Sequence, residues 1–255
     1  MKIGTALTSA KPLLKWAGGK QGLCHQLASL FPRDVGHYYE PFFGGGSVLL
    51  TLAPALATVG DENEWLIDTY KAVRDDHESV ARVLDRLINT REEFLRIRSI
   101  PPDGLDASTR AAHLIYLNKT CFRGLFRVNR RGIFNVPYGS YDRRYYDADN
   151  MASFAKALNS VRLLNVDFAD CVAGAKRGDF VYFDPPYYKL GGYSDFNRYT
   201  PGQFREADHR RLSRVCRELH QAGVRWAVSN SDTPLVRELF DGFEFRVISA
   251  RREIN

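Results

Sequence analysis

Cysteine is scarce and scattered in this chain. Cys24, Cys121, Cys171 and Cys216 form no Cys-x-x-Cys pair, and the six histidines complete no ligand cluster. That spacing argues against a metal centre or a disulfide framework and for reduced thiols. No apolar run reaches the ~18 residues that a membrane-spanning helix needs. The opening stretch, MKIGTALTSAKPLLKWAGGK, has no continuous apolar core of the kind a secretory leader carries. These absences read as a cytoplasmic chain with no membrane partner. Internal repeats and low-complexity tracts are also missing. So is a full G-x-G-x-x-G fingerprint, which counts against a dinucleotide cofactor.

Enough remains for one α/β domain with an insertion, or for two modest domains. The chain has 255 residues, 44% of them hydrophobic, and a formal net charge of +6. A moderately basic balance suggests an anionic partner, and its distribution says more than its sum. From Lys119 to Arg144 there are seven Lys/Arg and one acid, Asp142, a local +6 equal to that of the whole chain. Outside that segment strands alternate with helices. HYYEPFFGGGSVLLTLAP reads as strand, glycine turn and a helix from Ser47; Leu56 to Val59 reads as the next strand, closed by an acid and another helix. Apolar residues recur at helical spacing between Asp76 and Arg98, and Ser108 or Thr109 opens a helix through Leu117. VNRRGIF turns a hairpin near Arg131-Gly132. After Ala148 come a helix, the strand VRLLNVDF, the strand DFVYF, a helix capped by Gly223, the strand VRWAV, the short helix TPLVRELF and a last strand FEFRVIS. This rhythm predicts a doubly wound, mainly parallel, Rossmann-like sheet, with the basic segment as a separate inserted lobe.

Two motifs carry chemistry. Phe42-x-Gly44-x-Gly46 lets a ligand approach the backbone at a helix start, and Asp61 follows at the end of the next strand, where an acid can accept from ribose hydroxyls. A tight strand-to-helix connection is the plain alternative. In VYFDPPYY, two prolines remove two donors and fix two φ angles, which holds Asp184 and Tyr187 rigidly. A carboxylate on Asp184 and the carbonyl of Pro185 could accept the two N–H bonds of a nucleobase amine. That favours the pyramidal nitrogen of a methyl-transfer transition state, while Tyr187 offers a stacking face. The plain alternative is a stiff turn whose acid caps a helix.

DPPY at 184–187 with EPFFGGGS at 40–47 resembles the amino-group DNA methyltransferases. LLKWAGGK (13–20), GDENEWLI (60–67), YLNKTCFRGLFRVNRRGIFNVPYG (116–139), VDF (166–168) and VSNSD (228–232) narrow the resemblance to the Dam-like, D12-class (alpha group) adenine-N6 enzymes, over nearly the whole chain. The resemblance implies a methyltransferase sheet formed by 1–67 and 148–255, and an inserted helical and hairpin target-recognition domain over 68–147. It implies S-adenosylmethionine as cofactor, held by Trp16, Lys20, Glu40, Phe42, Gly44, Gly46, Asp61, Asp167, Phe168 and Asp184, with Asp184, Pro185 and Tyr187 catalytic and no metal. It implies a double-stranded DNA partner met by Asn118, Lys119, Phe122, Arg123, Leu125, Arg127, Asn129, Arg130, Arg131, Asn135 and Pro137. Within that set Phe122 is the candidate wedge beside a flipped adenine, Arg127 the base reader, and Arg130 or Arg131 the phosphate contact. GATC is the target that the resemblance suggests, with no obligate protein partner, a monomer, and a cognate restriction nuclease as a functional companion. Plain alternatives stand beside several of these: Trp16 as core, Lys20 as a solvated helix charge, Asp167 as a strand-end cap.

Two departures stand out. Arg123 replaces the asparagine usual in the family, and the chain stops at Asn255 where relatives usually run on by about another helix. Competing readings are cytosine-N4 or RNA-adenine methylation, and a DNA-binding protein that kept the fold without catalysis. No Pro-Cys nucleophile for cytosine-C5 chemistry is present.

Overall fold

The computed structural model describes residues 10–129, 131–188 and 204–248. Five parallel strands form one sheet in the order β3-β2-β1-β4-β5. They are β1 (Tyr38–Glu40), β2 (Ala57–Gly60), β3 (Val161–Leu164), β4 (Phe180–Phe183) and β5 (Arg225–Val228). Tyr38 stands opposite Ala57 on one side and Phe180 on the other. The central strands β1, β2 and β4 are buried on both faces, so alternate residues feed opposite cores. Tyr38, Phe180 and Tyr182 enter one cluster, and Tyr39, Val181 and Phe183 the other. The strand order reverses between β1 and β4. In open α/β sheets the crevice at that reversal, beyond the strand C-termini, is where ligands bind.

The first cluster is covered by α1 (Cys24–Leu30), α2 (Ser47–Leu52), α3 (Glu64–Leu84), α5 (Ala107–Thr120) and α6 (Ala148–Ala157). The second is covered by α7 (Phe168–Cys171), α8 (Glu206–Gln221) and α9 (Pro234–Leu239). Side-chain caps set the starts: Asn63 on Leu66 N–H, Asp106 on Thr109 N–H, and Thr233 on Val236 N–H with Pro234 in the first turn. Gly223, at φ +76, ends α8 as expected.

Three expectations change. The apolar spacing from Asp76 to Arg98 is not one helix. α3 bends at Asp76 (φ −155, ψ 70) and ends at Leu84, and α4 (Arg91–Ser99) restarts where Thr90 caps Glu93 N–H. FEFRVIS makes no strand over its described residues, 243–248. The basic segment does not close a core of its own: Cys121, Phe126, Phe134 and Val136 belong to the same cluster as the sheet. It is held as a loose hairpin by the bridges Cys121–Tyr138 and Val128–Phe134, with Gly132 (φ +72) in the turn. Among the described residues no helix is long and apolar enough to cross a membrane.

Candidate functional site

β4 delivers Asp184 and β1 delivers Glu40 to the same edge of the sheet, beside the strand-order reversal. Asp184 meets a lysine there. Lys20 Nζ lies 2.6 Å from Asp184 Oδ2 and donates to the Gly18 carbonyl at 2.6 Å. The same ammonium sits 4.9 Å from the centre of the Tyr187 ring. With 8% exposure, Lys20 is no solvated helix charge. Burial pushes the Asp184 carboxyl up to about 6, against the pull of Lys20. Burial alone would lower the Lys20 ammonium, but Asp184 and then Tyr187 hold it above its ordinary value. The second carboxylate oxygen, Asp184 Oδ1, is buried and has no hydrogen-bond partner among the described residues. A buried acceptor left unpaired is costly, so it marks a place for an incoming donor. Pro185 is buried behind it, and Tyr187 is half-buried.

The glycine turn runs from β1 into α2. Gly44 takes φ +48 and Gly46, the N-cap, φ +71. A Cβ on Gly44 would stand 2.8 Å from Trp16 Cδ1. Trp16 is half-buried and stacked on Phe126, with ring centroids 5.2 Å apart. It therefore joins the glycine turn to the basic segment. Asp61 Oδ2 accepts from Gly44 N–H at 3.0 Å and Oδ1 from Asn63 N–H at 2.9 Å. Burial raises the Asp61 carboxyl in spite of these two donors. Asp61 thus already serves the turn, and each oxygen keeps lone-pair capacity for a hydroxyl.

Around β3 the geometry is aromatic. Phe168 is buried and stacks on Phe42 at 5.4 Å, while Phe204 meets Phe42 edge-on at 5.6 Å. Asp167 caps α7 through Ala169 N–H at 2.9 Å and accepts from Arg211 of α8 at 2.9 Å. Burial would raise its carboxyl, but the Arg211 pairing wins and holds it low. The strand-end cap was one of its two expected roles. Arg211, whose guanidinium also lies 4.1 Å from the Phe168 ring centre, was not anticipated and carries no local motif. Asn230 and Ser229 lie in the VSNSD motif but had no role assigned: Asn230 accepts from Tyr188 N–H at 3.0 Å, and Ser229 lies 2.6 Å from the Tyr182 hydroxyl.

Two of the expected site residues are engaged inside the protein. Glu40 is 3% exposed, accepts from the Tyr38 hydroxyl at 2.9 Å, and is pushed by burial up to about 8. It lies beneath the cleft as a neutral acid at pH 7. Asn118 is wholly buried. Its amide accepts from Lys15 N–H at 2.8 Å and donates to the carbonyls of Lys15 and Gly124 at 2.9 and 3.1 Å. It clamps the chain before Trp16 to the basic segment.

The rest of the basic set faces outward. Phe122, Arg123, Arg127, Asn129, Arg131 and Pro137 are exposed, and Lys119, Leu125 and Asn135 are half-buried. Arg130 lies outside the described residues. Arg127 Nε donates to Asn135 Oδ1 at 2.7 Å, which orients its guanidinium. Asn129 Oδ1 builds the turn by accepting from Arg131 and Ile133 N–H. Arg123 occupies left-handed backbone, φ +59, and its N–H donates to the Tyr141 hydroxyl at 2.8 Å. Burial, then Lys15 and Arg143, bring the Lys119 ammonium down to about 8.

The comparisons agree with this geometry. The model of the D12 class N6 adenine-specific DNA methyltransferases matches residues 16–254. A type II methyltransferase of Lactococcus lactis subsp. cremoris is 38% identical over 95% of this chain and 88% of its own length. One from Methanocaldococcus jannaschii is 35% identical over 96% and 93%. A DNA adenine methylase of Serratia marcescens is 33% identical over 96% and 92%. Matched by this family model over nearly its whole length, the chain belongs to the D12 class of N6 adenine-specific DNA methyltransferases.

Proposed function

We propose that the protein transfers the methyl group of S-adenosylmethionine to N6 of an adenine flipped out of double-stranded DNA, within GATC or a related site. The observation that carries this reading is the orphaned, buried Asp184 Oδ1 at the strand-order reversal of a D12-class chain. S-adenosylmethionine, when bound, supplies a sulfonium-activated methyl group. The residues that fit it are the Gly44 and Gly46 turn, Asp61, Trp16 and the Phe42–Phe168 pair beside Asp167. The turn is backbone that a Cβ would obstruct.

In this reading Asp184 Oδ1 and the Pro185 carbonyl each accept one N6–H of adenine. The N6 lone pair is thereby localised toward the methyl donor. Tyr187 stacks on the base. Methyl transfer would form the N6–C bond as the donor's C–S bond is given up, and Asp184 or water would take the surplus N6 proton. Transfer needs Asp184 ionised, so activity should fall below about pH 6.

Residues 68–147 act as the target-recognition unit on the catalytic part, 1–67 and 148–255. Phe122 fills the gap left by the flipped base, Arg127 reads a base edge in the major groove, and Arg131 neutralises a phosphate. Lys119, Leu125, Asn129, Asn135 and Pro137 complete the surface. We place the protein as a monomer in the cytoplasm of a bacterial or phage-infected cell, with a restriction nuclease as a functional companion. The test is transfer of labelled methyl from S-adenosylmethionine to duplexes that carry GATC or a one-base variant of it. Label in the GATC duplex alone supports the site; equal label in both rejects it.

A further inference from the structure

Family resemblance places Lys20 among the cofactor residues, but its contacts point elsewhere. Gly18, at φ +76, and the Gly19 N–H bond to the Trp16 carbonyl (3.1 Å) make a tight turn directly before it. That turn folds Lys20 inward. Two of its three ammonium donors are then placed, on Gly18 O and on Asp184 Oδ2, each at 2.6 Å. The Tyr187 hydroxyl is the other polar group acting on it. A cation this buried persists only when paired and hydrogen-bonded. The two oxygens of Asp184 are therefore divided: Oδ2 is held by Lys20, and Oδ1 has no partner among the described residues.

We propose that Lys20 is the positioning residue of the methyl-transfer reaction, fixing Asp184 Oδ2 and holding the carboxylate ionised so that Oδ1 receives the target amine. This rests on the reading of Asp184 as the acid that accepts adenine N6–H. Among the described residues Lys20, before α1, is the group that acts on Asp184, while Asp184 in turn acts on Cys24 in α1, Glu40 at the end of β1, and Tyr182 and Tyr187 on either side of the DPPY corner. Of these Lys20 alone is a cation. Glu40, pushed up to about 8, is neutral at pH 7 and adds no second negative charge. The ionisation of Asp184 at neutral pH thus depends on Lys20.

The test compares Lys20→Met and Lys20→Arg with the wild type in three readouts. These are the pH profile of kcat on duplex DNA, the S-adenosylmethionine Kd, and the pH titration of the Asp184 carboxyl by 13C NMR of the DNA-free protein, assigned through Asp184→Asn. Loss of an adjacent cation raises a carboxylate by about 1–3 pH units. In Lys20→Met the acidic limb and the Asp184 resonance should both rise from near 6 by that amount. A midpoint near 8 leaves about a tenth of Asp184 ionised at pH 7, so kcat there should fall about tenfold and recover toward pH 9. Lys20→Arg should restore most of the shift, and Kd should stay within about twofold, well under 1.4 kcal/mol. An Asp184 midpoint that moves by less than about 0.5 unit in Lys20→Met overturns the inference. So does a Kd raised about tenfold with the limb unmoved, which would return Lys20 to the cofactor. A wild-type protein that methylates no adenine overturns the parent reading and this one together. A wild type that does so with an unmoved Asp184 overturns this one alone.

Discussion

Gly44→Ala is the perturbation whose size the structure sets most directly. Gly44 sits at φ +48, where a residue with a Cβ is strained by about 1–2 kcal/mol. The added methyl would also stand 2.8 Å from Trp16 Cδ1 and 3.4 Å from Nε1. Trp16 has little room to retreat, because its indole is stacked on Phe126, which is itself 5% exposed. Overpacking of this kind costs about 1–3 kcal/mol. Against that, alanine restricts the unfolded chain and returns about 0.5–1 kcal/mol. The net expectation is a loss of about 2–4 kcal/mol. Gly45→Ala is the internal control. Its Cβ would meet Trp16 Cβ at 3.5 Å and Leu14 O at 3.7 Å, ordinary contact distances, with no positive φ to strain. It should change stability by less than about 1 kcal/mol. Urea unfolding of the three proteins, read as the midpoint at constant m, measures both. Equal stabilities for the two alanine variants would refute the argument that Trp16 and the left-handed turn are mutually fitted.

Three further expectations follow from the site's surroundings. Arg123→Gly removes a strained φ of +59 while keeping the N–H bond to Tyr141, so stability should rise by about 0.5–1 kcal/mol, and DNA binding should lose about 0.9 from its salt slope; a lower melting point would contradict the strain. Asn118→Ala orphans the Lys15 N–H and two carbonyls and should cost about 2–4 kcal/mol, as calorimetry would show, whereas a mere DNA contact would cost almost nothing. The Glu40 carboxyl is raised in the folded protein from 4.5 to about 8, so its contribution is fully present below about pH 4.5 and lost as pH rises to about 8. Glu40→Gln should therefore flatten the fall in stability between those pH values, and an unchanged slope would place the titration elsewhere.

Parts of this molecule were legible in the sequence because local chemistry and tertiary role coincide there. A strand that ends in glycines before an apolar helix has few other conformations open to it, and β1, the turn and α2 follow. The break between α3 and α4 was hidden because apolar spacing continues through Leu87 and Ile88. Ile88 is in fact 62% exposed, and the usable signal was the Thr90-x-x-Glu93 cap. FEFRVIS alternates like a strand, but alternation selects a face only when a neighbouring strand buries one. Phe245 and Val247 are 42% and 71% exposed, and Arg246 pairs with its own neighbour Glu244. The division of Asp184 between Lys20 and an empty acceptor joins residues 164 positions apart, which no local pattern reports. Asn118 looked like a surface amide in a basic segment. Its burial is set by Lys15 and Gly124, which meet it only in the folded chain.

The most direct measurement of the central claim is product identity. Unmethylated duplex DNA is incubated with the protein and S-adenosylmethionine, digested to nucleosides and analysed by mass spectrometry, with Asp184→Ala in parallel. The account expects N6-methyladenine from the wild type and none from the variant, which should still bind the duplex. N4-methylcytosine, or N6-methyladenine formed equally well by Asp184→Ala, would contradict it.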